Sequence, residues 1–342
     1  MGTTNLDWLE VSGVPTFGMG GWPAFTGTWF FVDPANGSDG NTGAADSPLQ
    51  TIYRAYALMT AGKNDVCVIV GDGSTTGTAR LSTALAQSVD PTATTGTLTW
   101  AKNACHLIGM TAPTNVAQRA RIAPPSGTYT QATFGSGNFI VVSASGCYFS
   151  NFSIFNGFST GGTNQIALTV SGGRNYFQNV NIGGMGDAAS AQDTGSRSLL
   201  VTGTGENTFV GCTIGLDTVT RTVANASLEL AGATPRNSFI DCIFPFQTSA
   251  ATVLGILGTG AACIDRWTEF DRCKFINNVQ STSTTMSGLA TLPASAGGLL
   301  LLKDCTAVGI TEWGTDATTR GQEYVDGGAP TAGSTGIAVN PT

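Results

Sequence analysis

The chain has 342 residues, a net charge of −7 and only 11 % charged residues, with 46 glycines and 41 % hydrophobic residues. So few charges exclude a coiled coil or helical bundle, and the apolar content with a mean hydropathy of +0.11 excludes a disordered chain. The four lysines, Lys63, Lys102, Lys274 and Lys303, make no basic stripe, so neither nucleic acid nor membrane is expected as a partner.

Residues 1–28 set Trp8, Val11, Val14, Phe17, Trp22 and Phe25 among glycines. The stretch is too apolar for a free tail and too rich in glycine for a helix. It reads as an arm laid on another surface or on its own body, and those six residues are the candidate partner contacts. The opening MGTTNLDWLEVSG has no basic segment followed by an apolar one, so folding in a cytoplasm is expected.

Residues 29–65 read as an N-terminal cap. The loop DPANGSDGN offers Asp33, Asn36 and Asp39 as calcium ligands, but it lacks the spacing and terminal Glu of an EF-hand. A turn held by Asx and Gly residues is expected instead. Ser47-Pro48 predicts a helix start, Ile52, Ala55, Tyr56 and Met59 give it one apolar face, and Gly62 ends it. Val66, Val68 and Val70 then alternate as a strand.

A repeat fills residues 66–309. Its copies read CHLIGMTA, CYFSNFSI, NYFQNVNI, NTFVGCTI, NSFIDCIF, TEFDRCKF and LLLKDCTA. The third positions, Leu107, Phe149, Phe177, Phe209, Phe239, Phe270 and Leu302, are always large and apolar. Two residues later stand Gly109, Asn151, Asn179, Gly211, Asp241, Arg272 and Asp304. All but Arg272 are types that tolerate a left-handed backbone, so the chain is expected to bend there. Met110, Phe152, Val180, Cys212, Cys242, Cys273 and Cys305 follow, then a second apolar column at Ala112, Ile154, Ile182, Ile214, Phe244, Phe275 and Ala307. Nine residues before the first column, Ile140, Leu168, Leu200 and Leu230 mark a preceding strand. Three short strands per rung of about 30 residues, unable to bury their inner face alone, predict a parallel β-helix. Residues 310–342, rich in Gly, Thr, Ala and Pro, read as a tail packed along the coil or on a partner subunit.

Little in the sequence points to chemistry. The eight cysteines form no CxxC pair and are expected as free buried thiols, four of them in one column. The lone histidine, His106, has no nucleophile motif beside it. Asp241 and Asp304 share the bend column with Arg272 between them, and Glu269, Asp271 and Asp265 cluster near Arg266 and Arg272. Asp187, Asp193 and Glu206 fall in or near one long loop. Ion pairing at the surface is the plain account of these groups. Trp100, Trp267 and Trp313 are the candidate sugar platforms. No catalytic, cofactor or metal residue is assigned.

The segments FVDPANGSDGNTG, SPLQTIYRAYAL and NDVCVIVGDG, followed by the repeats, resemble the opening of pectin-lyase-like right-handed parallel β-helix proteins. The resemblance covers roughly residues 29–310. It implies an all-β fold, a right-handed single-stranded parallel β-helix with a short N-terminal capping helix. The apolar opening and the closing TGIAVNPT resemble tailed-bacteriophage virion proteins in style. The implied function is a non-enzymatic structural protein decorating or cementing the capsid exterior. Its partner would be the major capsid protein or another virion protein, and its state a homotrimer. The alternatives are a tailspike-like polysaccharide lyase or hydrolase, and a receptor-binding fibre or adhesin.

Overall fold

The computed structural model describes residues 10–11, 14–15, 26–70, 97–116, 120–123, 137–157, 164–278 and 284–326. Within them the chain forms a right-handed parallel β-helix with three sheets. Sheet A has ten strands, from Trp29–Val32 and Val66–Val70 through His106–Met110, Tyr148–Ser150, Tyr176–Gln178, Thr208–Val210, Asn237–Ile240, Arg266–Asp271 and Gly298–Lys303 to Glu323–Asp326. Sheet B has eight, from Leu98–Trp100 to Ile310–Gly314, and sheet C eight, from Arg121–Ile122 to Thr306–Val308. Each rung passes from B to A to C. Every strand pair in these three sheets is parallel, and Glu10–Val11 pairs antiparallel with Val14–Pro15 apart from them.

Parallel, in-register pairing places like residues on like. Phe149, Phe177, Phe209, Phe239 and Phe270 stack inside sheet A with centroids 4.6–4.7 Å apart and planes within 5–10°. Phe244 and Phe275 form a second stack in sheet C, 4.7 Å apart. The cysteine column is buried, and each thiol donates to the carbonyl of the preceding rung's phenylalanine, as Cys242 Sγ does to Phe209 O at 3.4 Å. Burial pushes Cys105, Cys147 and Cys263 up to about 11, so these thiols stay protonated and unreactive.

The bend column takes positive φ at Asn151, Asn179, Gly211, Asp241, Arg272 and Asp304, between 50° and 60°. The bend does not interrupt the ladder. Each of these residues donates its N–H to the next rung, as Arg272 does to Lys303 O at 2.8 Å. At Arg272 a long side chain occupies a conformation that favours Asn, Asp or Gly, and its ion pairs below account for the choice. Gly109 is different. It keeps an extended backbone within strand His106–Met110, and an added Cβ would sit 2.0 Å from Asn151 O. Close approach rather than a turn requires glycine there. With no bend at Gly109, Met110 faces out and is 54 % exposed.

A buried asparagine ladder lies at the corner from B to A. Asn207 Oδ1 accepts from Asn175 N at 3.1 Å, and its Nδ2 donates to Gly172 O at 3.1 Å. Asn237 Oδ1 accepts from Asn207 N in the same way, at 3.1 Å. This corner lengthens along the coil and shifts the leading strand. Leu199, not Leu200, pairs with Leu168 and turns inward.

The N-terminal end is closed by helix Ile52–Leu58, which buries Ile52 and Ala55. Its cap is Thr51 rather than Ser47: Thr51 Oγ1 accepts from Arg54 N at 3.0 Å, while Ser47 lies in a bridge with Ala44. Lys102 Nζ donates to Tyr56 O and Met59 O at 2.6 and 2.7 Å, satisfying carbonyls at the helix C-terminus. In the DPANGSDGN loop, Asp33 Oδ1 accepts from Ala35 N and Asn36 N, and Asp39 from Gln50 N, Thr51 N and Thr51 Oγ1. Those bonds make it the expected Asx turn. Beyond residue 309 the coil continues, with Ile310–Gly314 joining sheet B and Glu323–Asp326 joining sheet A.

Asn207→Ala should cost about 2–6 kcal/mol, because it orphans a buried N–H and a buried C=O at roughly 1–3 kcal/mol each. Phe209→Ala should cost about 3–5 kcal/mol for the cavity it leaves in the stack. Urea denaturation of both variants measures this, and losses below about 1 kcal/mol would refute the ladder and stack as main supports.

Candidate functional site: the outer face of sheet A

Residues flanking the Phe column turn outward by alternation. Their register gives two outer columns. One runs Tyr148, Tyr176, Thr208, Ser238, Glu269, Leu301, Tyr324. The other runs Ser150, Gln178, Val210, Ile240, Asp271, Lys303, Asp326. Tyr148 and Tyr176 stack at 5.8 Å, and Tyr148 Oη donates to Gln178 Oε1 at 2.6 Å.

The charged end of this face gathers most of the sequence candidates. Arg272 grips Asp241 in a two-pronged fork, Nε to Oδ1 at 2.8 Å and Nη2 to Oδ2 at 3.0 Å. Its Nη1 donates to Asp271 Oδ2 at 2.7 Å. The hydrogen bonds and charge of Arg272 hold Asp241 below the usual carboxylate range. Asp304 is not among the partners of Arg272, so the structure joins Asp241 with Asp271 rather than with Asp304. Glu269 and Asp271 lie two apart on one strand and so share the outer face, and Asp271 Oδ1 is buried without a partner.

Of the other acidic candidates, Asp187 and Asp193 hold backbone and Glu206 is paired with arginines. Asp187 caps the short helix Ala188–Ala191 with a reciprocal bond to Ser190. Asp193 accepts from Asn164 N and Ser196 Oγ. Glu206 sits between Arg174 and Arg236, which together depress its pKa. Trp100 is 1 % exposed and donates to Cys105 O, so it is core rather than a sugar platform. Trp313 packs edge-on to Phe275 at the core boundary, and Trp267 is half-buried beside Leu299 on the next rung.

His106 is buried. Its Nδ1 accepts from Tyr148 N at 3.0 Å, and Nε2 faces Asn64 Oδ1 at 3.4 Å. Burial pulls its pKa down to about 4 against an opposing pull from Asp65. It is a neutral, satisfied histidine at pH 7.

Two buried groups carried no sequence signal. Arg197 pairs with Glu229 at 2.8 Å on the outside of sheet B, where Thr259 Oγ1 also donates to Glu229. Arg221, 2 % exposed, donates to Asn225 Oδ1, Ser227 Oγ, Asn225 O and Leu254 O. Desolvation lowers its pKa to about 9. It fastens the extra strand Leu216–Arg221 to sheet B.

Among the described residues no group of three or more His, Cys, Asp or Glu is placed to hold a metal ion. The arm residues Trp8, Phe17, Trp22 and Phe25 lie outside the described residues, and Val11 and Val14 are described only as paired backbone.

No family model matches this sequence, and neither does any curated protein. Solved structures do match the fold. Pectin methylesterase PemA from Erwinia chrysanthemi aligns with a TM-score of 0.55 at 18 % identity, covering 85 % of this chain and 82 % of its own. The pectin methylesterase from Aspergillus niger gives 0.52 at 14 %, covering 92 % and 88 %. Pectate lyase Pel9A gives 0.52 at 13 %, covering 83 % and 64 %. These likenesses show the pectin-lyase-like β-helix fold.

Stability should fall on acidification through His106. Its folded pKa lies below the ordinary 6.5, so its contribution is complete above pH 6.5 and is lost as pH falls toward 4. The loss is up to roughly 3 kcal/mol. Urea midpoints compared at pH 7.5 and 5 should show a drop that His106→Asn, which keeps an acceptor for Tyr148 N, flattens; an unchanged pH slope in that variant would exclude His106 as the source.

Arg272→Glu should lower the urea midpoint, since it replaces the partner of Asp241 and Asp271 by a like charge. The loss should shrink in 1 M salt. Arg272→Gly should leave the urea midpoint close to that of wild type, because glycine relieves the left-handed backbone while exposed ion pairs contribute little.

Proposed function

We propose that this chain is a non-enzymatic structural protein of a tailed-bacteriophage virion, decorating or cementing the capsid exterior as a homotrimer. Its partner is the major capsid protein or another virion protein, and the arm residues Trp8, Val11, Val14, Phe17, Trp22 and Phe25 make the contact. The observation that carries this reading is what eleven of the 22 acidic side chains do, Glu323, which burial pushes up to about 7, being an exception. Asp33, Asp39, Asp65, Asp187, Asp193 and Asp316 hold backbone amides. Glu206, Glu229, Asp241, Asp271 and Glu312 are paired with arginines. Carboxylates committed to holding loops and rungs together suit a rigid building element better than an acid–base catalyst, which needs a carboxyl free to exchange a proton.

The copy number of the chain per purified virion, by quantitative mass spectrometry, tests this. Hundreds of copies in a multiple of the capsid symmetry are expected, and absence from particles would overturn the reading. A chain lacking residues 1–25, shown by circular dichroism to be folded, should bind chain-free particles at least tenfold less well than the full chain.

A second reading, a polysaccharide lyase or hydrolase, is favoured by one feature. Glu269 and Asp271 stand side by side on an open face, and Asp271 keeps one oxygen without a partner. The fold neighbours, two pectin methylesterases and a pectate lyase, are in keeping with it. Cleavage of a polysaccharide by the wild-type chain that Glu269→Gln and Asp271→Asn each reduce by a hundredfold or more would replace the first reading with this one.

A further inference from the structure

One carboxyl near the end of the coil is turned toward the core. Strand Glu323–Asp326 pairs in register with Gly298–Lys303, setting Val325 beside Leu302 and Glu323 beside Leu300. Leu302 continues the inner Phe column, so alternation turns Glu323, two residues before Val325, to the inside as well. Leu300 and Leu302 are both buried. Glu323 Oε1 is buried and makes no hydrogen bond. Its Oε2 lies against Gly314, where an added Cβ would be 2.7 Å away, with Arg320 Cγ and Thr319 Cγ2 each 3.0 Å from the same point.

Three elements face this carboxyl, and their charged groups are committed elsewhere. Asp316 caps helix Ala317–Arg320 by accepting from Thr319 N at 2.7 Å. Arg320 runs past Gly314, donating to Gly314 O at 3.1 Å and to Glu312 Oε2 on strand Ile310–Gly314. Lys303 stands beside Asp326, at the far end of the strand pair. Burial, against the pull of Arg320 and with a push from Asp316, raises Glu323 to about 7. The segment that carries it is held from one side. Among the described residues its strand pairs only with Gly298–Lys303. Thr319 Oγ1 accepts from Leu292 N, and Gln322 Nε2 donates to Pro293 O, both at 3.0 Å.

We propose that residues 316–326 form a pH-operated closure, docked while Glu323 holds a proton and released once that proton is lost. Protonated, the carboxyl is a neutral group among apolar neighbours. Ionised, it is a buried charge with no cation on it, and lifting the segment hydrates it. A carboxyl whose docked pKa lies above the ordinary 4.5 favours docking at low pH, and opening grows as pH rises through 4.5 to 7. Release would bare the edge of Gly298–Lys303, leaving its N–H and C=O groups free to pair with another strand. Protonation of His106 loosens the first rungs at low pH, so the two titrations act at opposite ends and in opposite senses. The closure does not rest on the function proposed above.

Hydrogen exchange of the intact chain, read peptide by peptide and corrected for the intrinsic effect of pH, tests this. Amides in residues 316–326 should exchange about tenfold faster at pH 8.5 than at pH 6, while those of Thr208–Val210 and Asn237–Ile240 should not change. Glu323→Gln should remove the difference. Should the amide fail to seat there, Glu323→Leu, which continues the column of Leu300, should keep the segment docked at both pH values. Equal protection of the wild type at the two pH values would overturn the proposal. So would a tenfold rise that persists in both variants or that spreads over the whole coil. None of these readouts involves particles, so a failed copy-number measurement and a failed closure remain distinguishable.

Discussion

In-register parallel pairing is the constraint on which the rest depends. Once one rung pairs with the next at about 4.8 Å, every column of side chains repeats at that spacing. A residue must therefore be compatible with its own kind directly above and below. Flat rings meet this condition by stacking, as Phe149 to Phe270 do. Asparagine meets it because its amide can accept from the preceding rung's N–H while donating to a carbonyl of the corner. Small thiols meet it because each finds a carbonyl of the rung before. The bend column adds a backbone condition, and its N–H groups keep the ladder continuous through the corner.

The same constraint explains why the chain holds so few charges and where they stand. Like charges at rung spacing repel by about 1 kcal/mol in water, and more where water is excluded. Columns that contain charge therefore alternate in sign. Arg174, Glu206 and Arg236 alternate at the corner from B to A, all with positive φ. Asp241, Arg272 and Asp304 alternate in the bend column, and Asp271, Lys303 and Asp326 on the outer face. This accounts for Arg272 in a bend otherwise built of Asn, Asp and Gly. A carboxylate at that rung would face Asp241 and Asp304 at once, whereas a guanidinium links Asp241 to Asp271.

What was legible in the sequence follows from this strict repetition. The Phe, cysteine and bend columns could be read because a parallel coil permits no slippage within them, so side-chain type recurs at a fixed offset. The leading strand was read less well, since Leu200 replaced Leu199 once the corner grew by a residue; turn length is set by the local Gly and Thr content and not by the column. Gly109 read as a bend because glycine serves both turns and close approaches, and only Asn151 O at its side distinguishes them. Ser47 read as a cap because Ser-Pro is a good start signal, yet Asp39 fixes Thr51 at the true helix start from a loop twelve residues earlier. Arg221 and the Arg197–Glu229 pair gave no signal, because their partners are backbone carbonyls and side chains brought together across rungs.

The candidate site was the least legible part for the same reason that the fold was the most legible. Stacking dictates the inner columns, but on the outside it demands only compatibility between neighbours, and alternating ion pairs satisfy that without any chemistry. Acid–base catalysis would need a carboxyl that breaks the pattern, one whose proton is not fixed by a cation beside it. On the outer face of sheet A, Asp271 has one oxygen on Arg272 and the other unpaired. Arg272 also reaches Asp241, so the guanidinium that would have to release Asp271 is held in place by a second acid. The arrangement is a fixed surface of balanced charge.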